Sequence, residues 1–416
     1  MGYRTRRYLW GLLVLISLPM AGMAQTRTEE HWHPFDRDQA AIRRTHRRLG
    51  PLWFGLYVPW QIGIDSQPFG LQTAQQDTFF DVGLRISSAF LLGYVFWLRA
   101  EGGIGYTHYF KFDNLRRVYR TAGVEGALRL PLSRLRVQWS TRRSRLVYLT
   151  EIDFPVFTTE TTRAVDLETA LGHRILLHGG WSLGTQRFSL RMEPSASAGE
   201  IPVFVALLDR DTRRWNGGIQ WHLTRFLRMG LEGYTQRNDF RQDTERNSRE
   251  WGIFVSAQTR PMRWNSVRVA IGYMQLIHRP TGTRVFAGWF SSSQVDVRLL
   301  RRFWILAQWQ RGPRWSLYID PRFGQVYIEN RIGGGIGVMI VRGVRITVMY
   351  TQGRAAYQDL VGRPRSETSY REEIWQVGLD VQRRWLAFGL RLQIWQRTPV
   401  RPLAANRRWM LVLVPR

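Results

Sequence analysis

Arginines and carboxylates recur in this chain at alternate positions of otherwise apolar runs. Asp81 and Arg85 stand on one side of a run whose other side is Phe80, Val82 and Leu84. Arg99 and Glu101 alternate in the same way with Leu98, Ala100 and Ile104. The same alternation puts Glu125, Arg129, Arg136, Arg228, Glu232, Arg268, Arg345, Asp380 and Arg391 on the face opposite the apolar residues. Side chains two apart in an extended strand share a face. Each run is therefore oily on one side and charged on the other. A charged wall of this kind can form ion pairs between neighbouring strands, or it can offer fixed guanidinium charge to a water-filled passage and favour anions in it. Both readings hold together: carboxylates neutralise part of the wall, and arginine remains in excess.

Other candidate chemistry is sparse. His31-Trp32-His33 offers two imidazoles but no clear third ligand, a weak metal signal. Gly333-Gly334-Gly335-Ile336-Gly337 lacks the Lys and Ser/Thr of a phosphate loop. It lies inside a strand pattern, where glycine permits a sharp bend or the close packing of an inner element. Glu372 and Glu373 are adjacent, so in a strand they point to opposite faces and cannot act as a carboxylate pair. No nucleophile elbow of the Gly-x-Ser-x-Gly kind is read in the chain. No catalytic residue, metal or cofactor is assigned, and the chain is read as a non-enzyme.

The elements that position these residues are long strands. Between Tyr370 and Thr398, Trp375, Val377, Leu379 and Val381 alternate with Gln376, Gly378, Asp380 and Gln382; after Arg383-Arg384 the alternation resumes with Leu386, Phe388, Leu390, Leu392 and Ile394. That is two strands and a tight turn. Each strand has about 11 residues, enough to cross a bilayer at a tilt. Units of this kind repeat from Leu52 onward, about 18 strands in all, with loops expected at 149–160 and 354–369 among others. Short turns alternate with longer loops, the pattern of outer-membrane barrels, in which the short turns face the periplasm. Arg225-Phe226, Arg263-Trp264, Arg302-Phe303 and Arg384-Trp385 place an arginine beside an aromatic at strand starts, as an interfacial girdle would.

The fold class expected is therefore all-β: a transmembrane, antiparallel up-and-down barrel of about 16–18 strands, outer-membrane type. Residues 51–416 form it, residues 25–50 form a periplasmic tail with a short helix over 38–48, and residues 1–24 are a cleaved signal peptide. Arg4, Arg6 and Arg7 precede the apolar stretch Leu9–Leu18 and the small residues Gly22 and Ala24. The 416 residues include no cysteine and carry a formal charge of +28, with Lys111 the single lysine among 60 basic residues. A basic chain often binds nucleic acid. An exported one meets anionic lipid, polysaccharide or small anions instead.

The hairpin Arg213-Arg214-Trp215-Asn216-Gly217-Gly218-Ile219-Gln220-Trp221, followed by Leu223-Thr224-Arg225-Phe226-Leu227-Arg228-Met229-Gly230, resembles the strand-turn-strand repeat of the β-barrel porins of Gram-negative outer membranes. The resemblance is architectural and covers about Leu52 to the C-terminus. It implies an outer-membrane pore, and some members of the family are associated with exopolysaccharide export. Such chains commonly finish on an aromatic residue, whereas this one ends Val412-Leu413-Val414-Pro415-Arg416. The expected function is a pore for anionic solutes or oligo- and polysaccharide. The alternatives are a plugged scaffold partnering a secretion or envelope complex and, third, an outer-membrane lipid hydrolase.

Overall fold

The computed structural model describes residues 42–43, 46–66, 76–149, 154–172, 174–189, 205–224, 227–259, 265–300, 302–315, 326–360, 362–382, 387–399 and 406–415. Within them lie strands β1 (Arg47–Leu49), β2 (Leu52–Tyr57), β3 (Trp60–Asp65), β4 (Asp77–Leu92), β5 (Phe96–Tyr109), β6 (Arg117–Arg129) and β7 (Ser133–Leu149). Then come β8 (Phe154–Leu171), β9 (Ile175–Ser189), β10 (Arg210–His222), β11 (Leu227–Phe240), β12 (Ser248–Thr259), β13 (Asn265–His278) and β14 (Arg284–Leu300). The last are β15 (Phe303–Trp315), β16 (Val326–Val341), β17 (Val344–Gln358), β18 (Pro364–Gln382), β19 (Ala387–Pro399) and β20 (Asn406–Pro415).

From β3 to β20 each strand pairs antiparallel with the next, and β20 returns to pair with β3, Met410 opposite Asp65 and Leu413 opposite Ile62. β2 and β3 form one stave, because both pair with β4 in a single register, Tyr57 opposite Arg85 and Trp60 opposite Val82. The interruption falls at Val58-Pro59, where proline has no N–H to donate; the Pro59 carbonyl still accepts from the Gly83 N–H at 2.8 Å. With β2 and β3 counted together and the three-residue β1 set apart, the sheet is a closed barrel of 18 staves. β1 pairs with β2 at Trp53 and Phe54, extending the seam past the reach of β20.

The alternation read from the sequence governs the two faces. Leu56, Leu84, Ile104, Val124, Val137, Leu167, Leu231, Val255, Ile305, Ile336 and Val377 share an exposed apolar face, as the lipid side of a membrane barrel must. Phe303, beside Arg302, belongs to it, while Arg225-Phe226, Arg263-Trp264 and Arg384-Trp385 lie outside the described residues. The opposite face at the short-turn end is polar apart from buried Ala89, Trp97, Ala127 and Trp304. At the long-loop end it carries buried apolar clusters, one of Phe79, Tyr109, Leu115, Met410 and Val412, another of Met274, Leu276, Val285, Phe286 and Val326. Short turns use glycine where the backbone demands it: Gly93 and Gly343 take φ of 54° and 88°, which an L side chain resists.

Two expectations change. β8 begins at Phe154, and β17 and β18 run to Gln358 and from Pro364, so strand occupies most of the loops expected at 149–160 and 354–369. Backbone pairing continues there beyond the oily band, where no lipid enforces alternation. Among the described residues of 38–48 the helix is confined to Ile42 and Arg43, and Arg47–Leu49 is strand. Gly333–Gly337 hold β16 in unbroken register with β15, and side chains of adjoining strands, Gln308, Met349 and Trp304, pack closely over their polar-face positions. His31-Trp32-His33 and residues 1–24 lie outside the described residues.

Candidate functional site

Cross-strand register brings the polar-face residues into rows. One row runs across β11 to β15: Arg228 opposite Gln258, Gln258 opposite Arg268, Arg268 opposite Gln294 and Gln294 opposite Gln308. It contains two guanidiniums and three amides and no carboxylate. Arg228 and Arg268 also line one recess of about 180 Å³, together with Gln220, Glu232, Ser256 and Gln258. Glu232 accepts from the Ser256 hydroxyl at 2.7 Å and lies 3.7 Å from His178 Nε2. The Arg268 side chain makes no hydrogen bond or ion pair with another described residue. Its donors are held between amides, ready for an acceptor from outside the chain.

Elsewhere the predicted residues pair with one another. Arg136 bonds Glu125, and Arg99 reaches Glu101 at 3.2 Å. Arg345 meets Asp380 at 3.3 Å and Asp296 at 3.6 Å, and Arg391 bonds the other oxygen of Asp380. Trp304 is buried beneath this group, with the guanidiniums of Arg298 and Arg345 5.3 and 5.5 Å from its ring. Arg129 stands opposite Arg134 at the short-turn rim. Arg85 lies over Gly103, whose added Cβ would come within 3.0 Å of it. The sequence reading thus finds members of these clusters but does not group them.

It also passes over several partners. Arg134–Glu168 at 2.6 Å and Asp296 belong to the same wall. Nearer the long loops, buried Arg331 holds Glu329 at 2.9 Å and Glu372 at 2.6 Å, while Glu373 is exposed. The signal was available: Gln294, Asp296 and Arg298 alternate with Val295, Val297 and Leu299 in the pattern that marks the residues named above. A Gly-x-Ser-x-Gly spacing does occur, at Gly180-Trp181-Ser182-Leu183-Gly184, contrary to that reading. It lies in the extended middle of β9, not on the strand-to-helix turn that an elbow requires. His178, on the same face, is about 13 Å along the strand, out of reach as a base.

The N-terminal segment enters the short-turn end. Ile42 packs with Ala89, Trp97 and Ala127 on the polar face. The His46 ring gives its Nδ1–H to the Ile42 carbonyl at 3.2 Å, so its Nε2 accepts from the Ser87 hydroxyl at 2.8 Å. Burial, and next the Arg99 guanidinium, hold this imidazole below its usual value.

A closed antiparallel barrel with an apolar outer belt and a polar inner half defines a transmembrane β-barrel of the outer-membrane type. Solved structures carry the same fold. Acinetobacter baumannii OccAB3 is 10% identical over 88% of this chain and 99% of that one, with a TM-score of 0.52. The outer membrane protein opdK of Pseudomonas aeruginosa is 14% identical over 88% and 98%, TM-score 0.52. OpdQ of the same organism is 11% identical over 87% and 97%, TM-score 0.50. No protein-family model and no curated protein matches the sequence.

Proposed function

We propose that the barrel is an outer-membrane pore for anionic solutes, and that anionic oligosaccharide or polysaccharide is the class its wall suits. The observation that carries the reading is the row Arg228, Gln258, Arg268, Gln294, in which Arg268 has no carboxylate partner among the described residues. Guanidinium takes carboxylate or sulfate in two parallel bonds, and glutamine amides exchange bonds with hydroxyls. A barrel of this size leaves an aqueous lumen unless something fills it. In this reading Arg85, Arg99, Glu101, Glu125, Arg129, Arg136, Arg228, Glu232, Arg268, Arg345, Asp380 and Arg391 line the pore. The paired ones stiffen the wall, and Arg85 and Arg268 leave net positive charge on it.

One observation favours a plugged scaffold instead: Ile42 and His46 sit against the inner wall at the short-turn mouth. A hydrolase is the weakest reading. Ser87 and His46 have the spacing of nucleophile and base, but the ring is oriented by a main-chain carbonyl, and both groups lie away from the lipid-facing side. Uptake into proteoliposomes separates the readings. Glucuronate should enter faster than glucose, and Arg268→Glu should remove the difference without unfolding the barrel. Equal exclusion of both sugars by a folded barrel would refute the pore.

A further inference from the structure

We infer that the outward face of β10 to β12 binds the phosphate-bearing headgroup of an outer-leaflet lipid, gripped by Arg213, Arg237 and Arg249. The inference rests on the membrane placement proposed above and is independent of what the lumen carries. Arg213 stands directly opposite Arg237, and Arg237 directly opposite Arg249, so three arginines lie abreast on three adjacent strands. All three are exposed on the apolar, lipid-side face. Like charges placed directly opposite one another across a sheet repel, with Cβ atoms only about 5 Å apart. Such a row is stable when an anion bridges it.

The protein's own anions do not suffice. The next row toward the long loops holds Asp211 opposite Asp239. Asp211 is shared by Arg187 at 2.5 Å and Arg241 at 3.2 Å, and Asp239 by Arg237 at 2.8 Å and Arg279 at 2.5 Å. With Asp209, whose charge also faces Arg187 and Arg241, six arginines stand around three carboxylates. The side chains of Arg213 and Arg249 make no hydrogen bond or ion pair with any described residue.

Height identifies the ligand. One outward position below the arginines, about 7 Å along the strands, lies an aromatic row: Trp181 opposite Trp215, then Thr235 opposite Trp251. It continues as Trp251–Tyr273 and Tyr273–Trp289 at 6.1 and 6.5 Å, and Trp215 and Trp289 are 60% and 61% exposed. Below it the face is aliphatic, with Leu231, Ile253 and Val255. Aliphatic, aromatic, arginine is the order of hydrocarbon, interface and headgroup. The arginines stand about ten residues above the short turns, about 25 Å at the usual strand tilt, the thickness of the apolar band. A phosphate monoester, with its charge near −2, balances the surplus better than a diester, and guanidinium binds it through paired donors.

The test uses the full protein, refolded in detergent and freed of lipid. It is titrated with a diphosphorylated glycolipid (lipid A) and with the same glycolipid after dephosphorylation, and adducts are counted by native mass spectrometry. The phosphorylated form should bind about tenfold tighter, a preference worth two exposed charge-assisted bonds. Arg213→Gln with Arg249→Gln should abolish the preference while heat-modifiable migration and conductance stay as in the parent. Arg213→Lys with Arg249→Lys, which keeps the charge, should retain part of it. Equal binding of both glycolipids, or an unchanged preference in the Gln variant, would overturn the proposal. Inorganic phosphate binding with the same dependence on these arginines, and no gain from the lipid, would overturn it also.

Discussion

Val137 and Gln138 are neighbours in β7 on opposite faces, and arginine at each makes a sharp test of the barrel wall. Val137 is 53% exposed on the apolar face, opposite Gly126 and Val165. It lies about five residues from the short turn, near the middle of the apolar band. Leu128, Val165 and Leu167 around it offer no hydrogen-bond acceptor on their side chains. Arginine near the midplane of a membrane barrel costs about 2–4 kcal/mol, roughly 30- to 1,000-fold in the folding equilibrium. Gln138 lies on the polar face opposite Glu125, so an arginine there meets a carboxylate instead of lipid. Urea-driven unfolding in phospholipid vesicles, followed by tryptophan fluorescence, measures both. Val137→Arg should lose the stated 2–4 kcal/mol, and Gln138→Arg less than about 1 kcal/mol. Equal losses, or a larger loss at Gln138, would refute the assignment of lipid and interior faces.

Asp380 is 4% exposed and holds both Arg345 and Arg391. Asp380→Asn should cost about 2–3 kcal/mol in the same assay, less than a fully buried pair because the arginines keep 23% and 21% of their side-chain surface. His46 has its folded-state pKa lowered, so the docking of the N-terminal segment is complete above about pH 6.5 and weakens as the pH falls below that value toward the lowered one. Hydrogen exchange of the amides in β1, corrected for intrinsic rates, should therefore quicken between pH 7.5 and pH 5.5, and His46→Gln should remove the dependence. Pro59 in the β2–β3 stave has no donor, so Pro59→Ala should leave the register intact and change stability by less than about 1 kcal/mol; heat-modifiable migration and urea midpoint report both.

The staves were legible because lipid on one side and water on the other impose a period of two. That pattern is visible in Phe80 to Leu84 and again in Leu386 to Ile394. It fades where strands rise above the lipid, which is why Phe154 and Pro364 begin strands inside stretches that read as loops. The charged face was legible residue by residue, since parity alone assigns it. Which arginine meets which carboxylate was not, because pairing depends on register: Arg345 reaches Asp380 and Asp296 only once β14, β17 and β18 are aligned. The Arg228–Arg268 recess depends on the same alignment. The insertion of Ile42 and His46 left no trace in the pattern, because a segment docked by one side chain and one imidazole has no period.

Planar bilayers give the most direct measurement of the central claim. A single barrel in a salt gradient at low ionic strength should conduct, and its reversal potential should report anion preference. The preference should fade as salt rises and the screening length falls from about 30 Å toward 8 Å. Arg228→Gln with Arg268→Gln should reduce it. Cation preference in the parent protein would contradict the account of the wall, and a folded barrel that passes no current would contradict the pore itself.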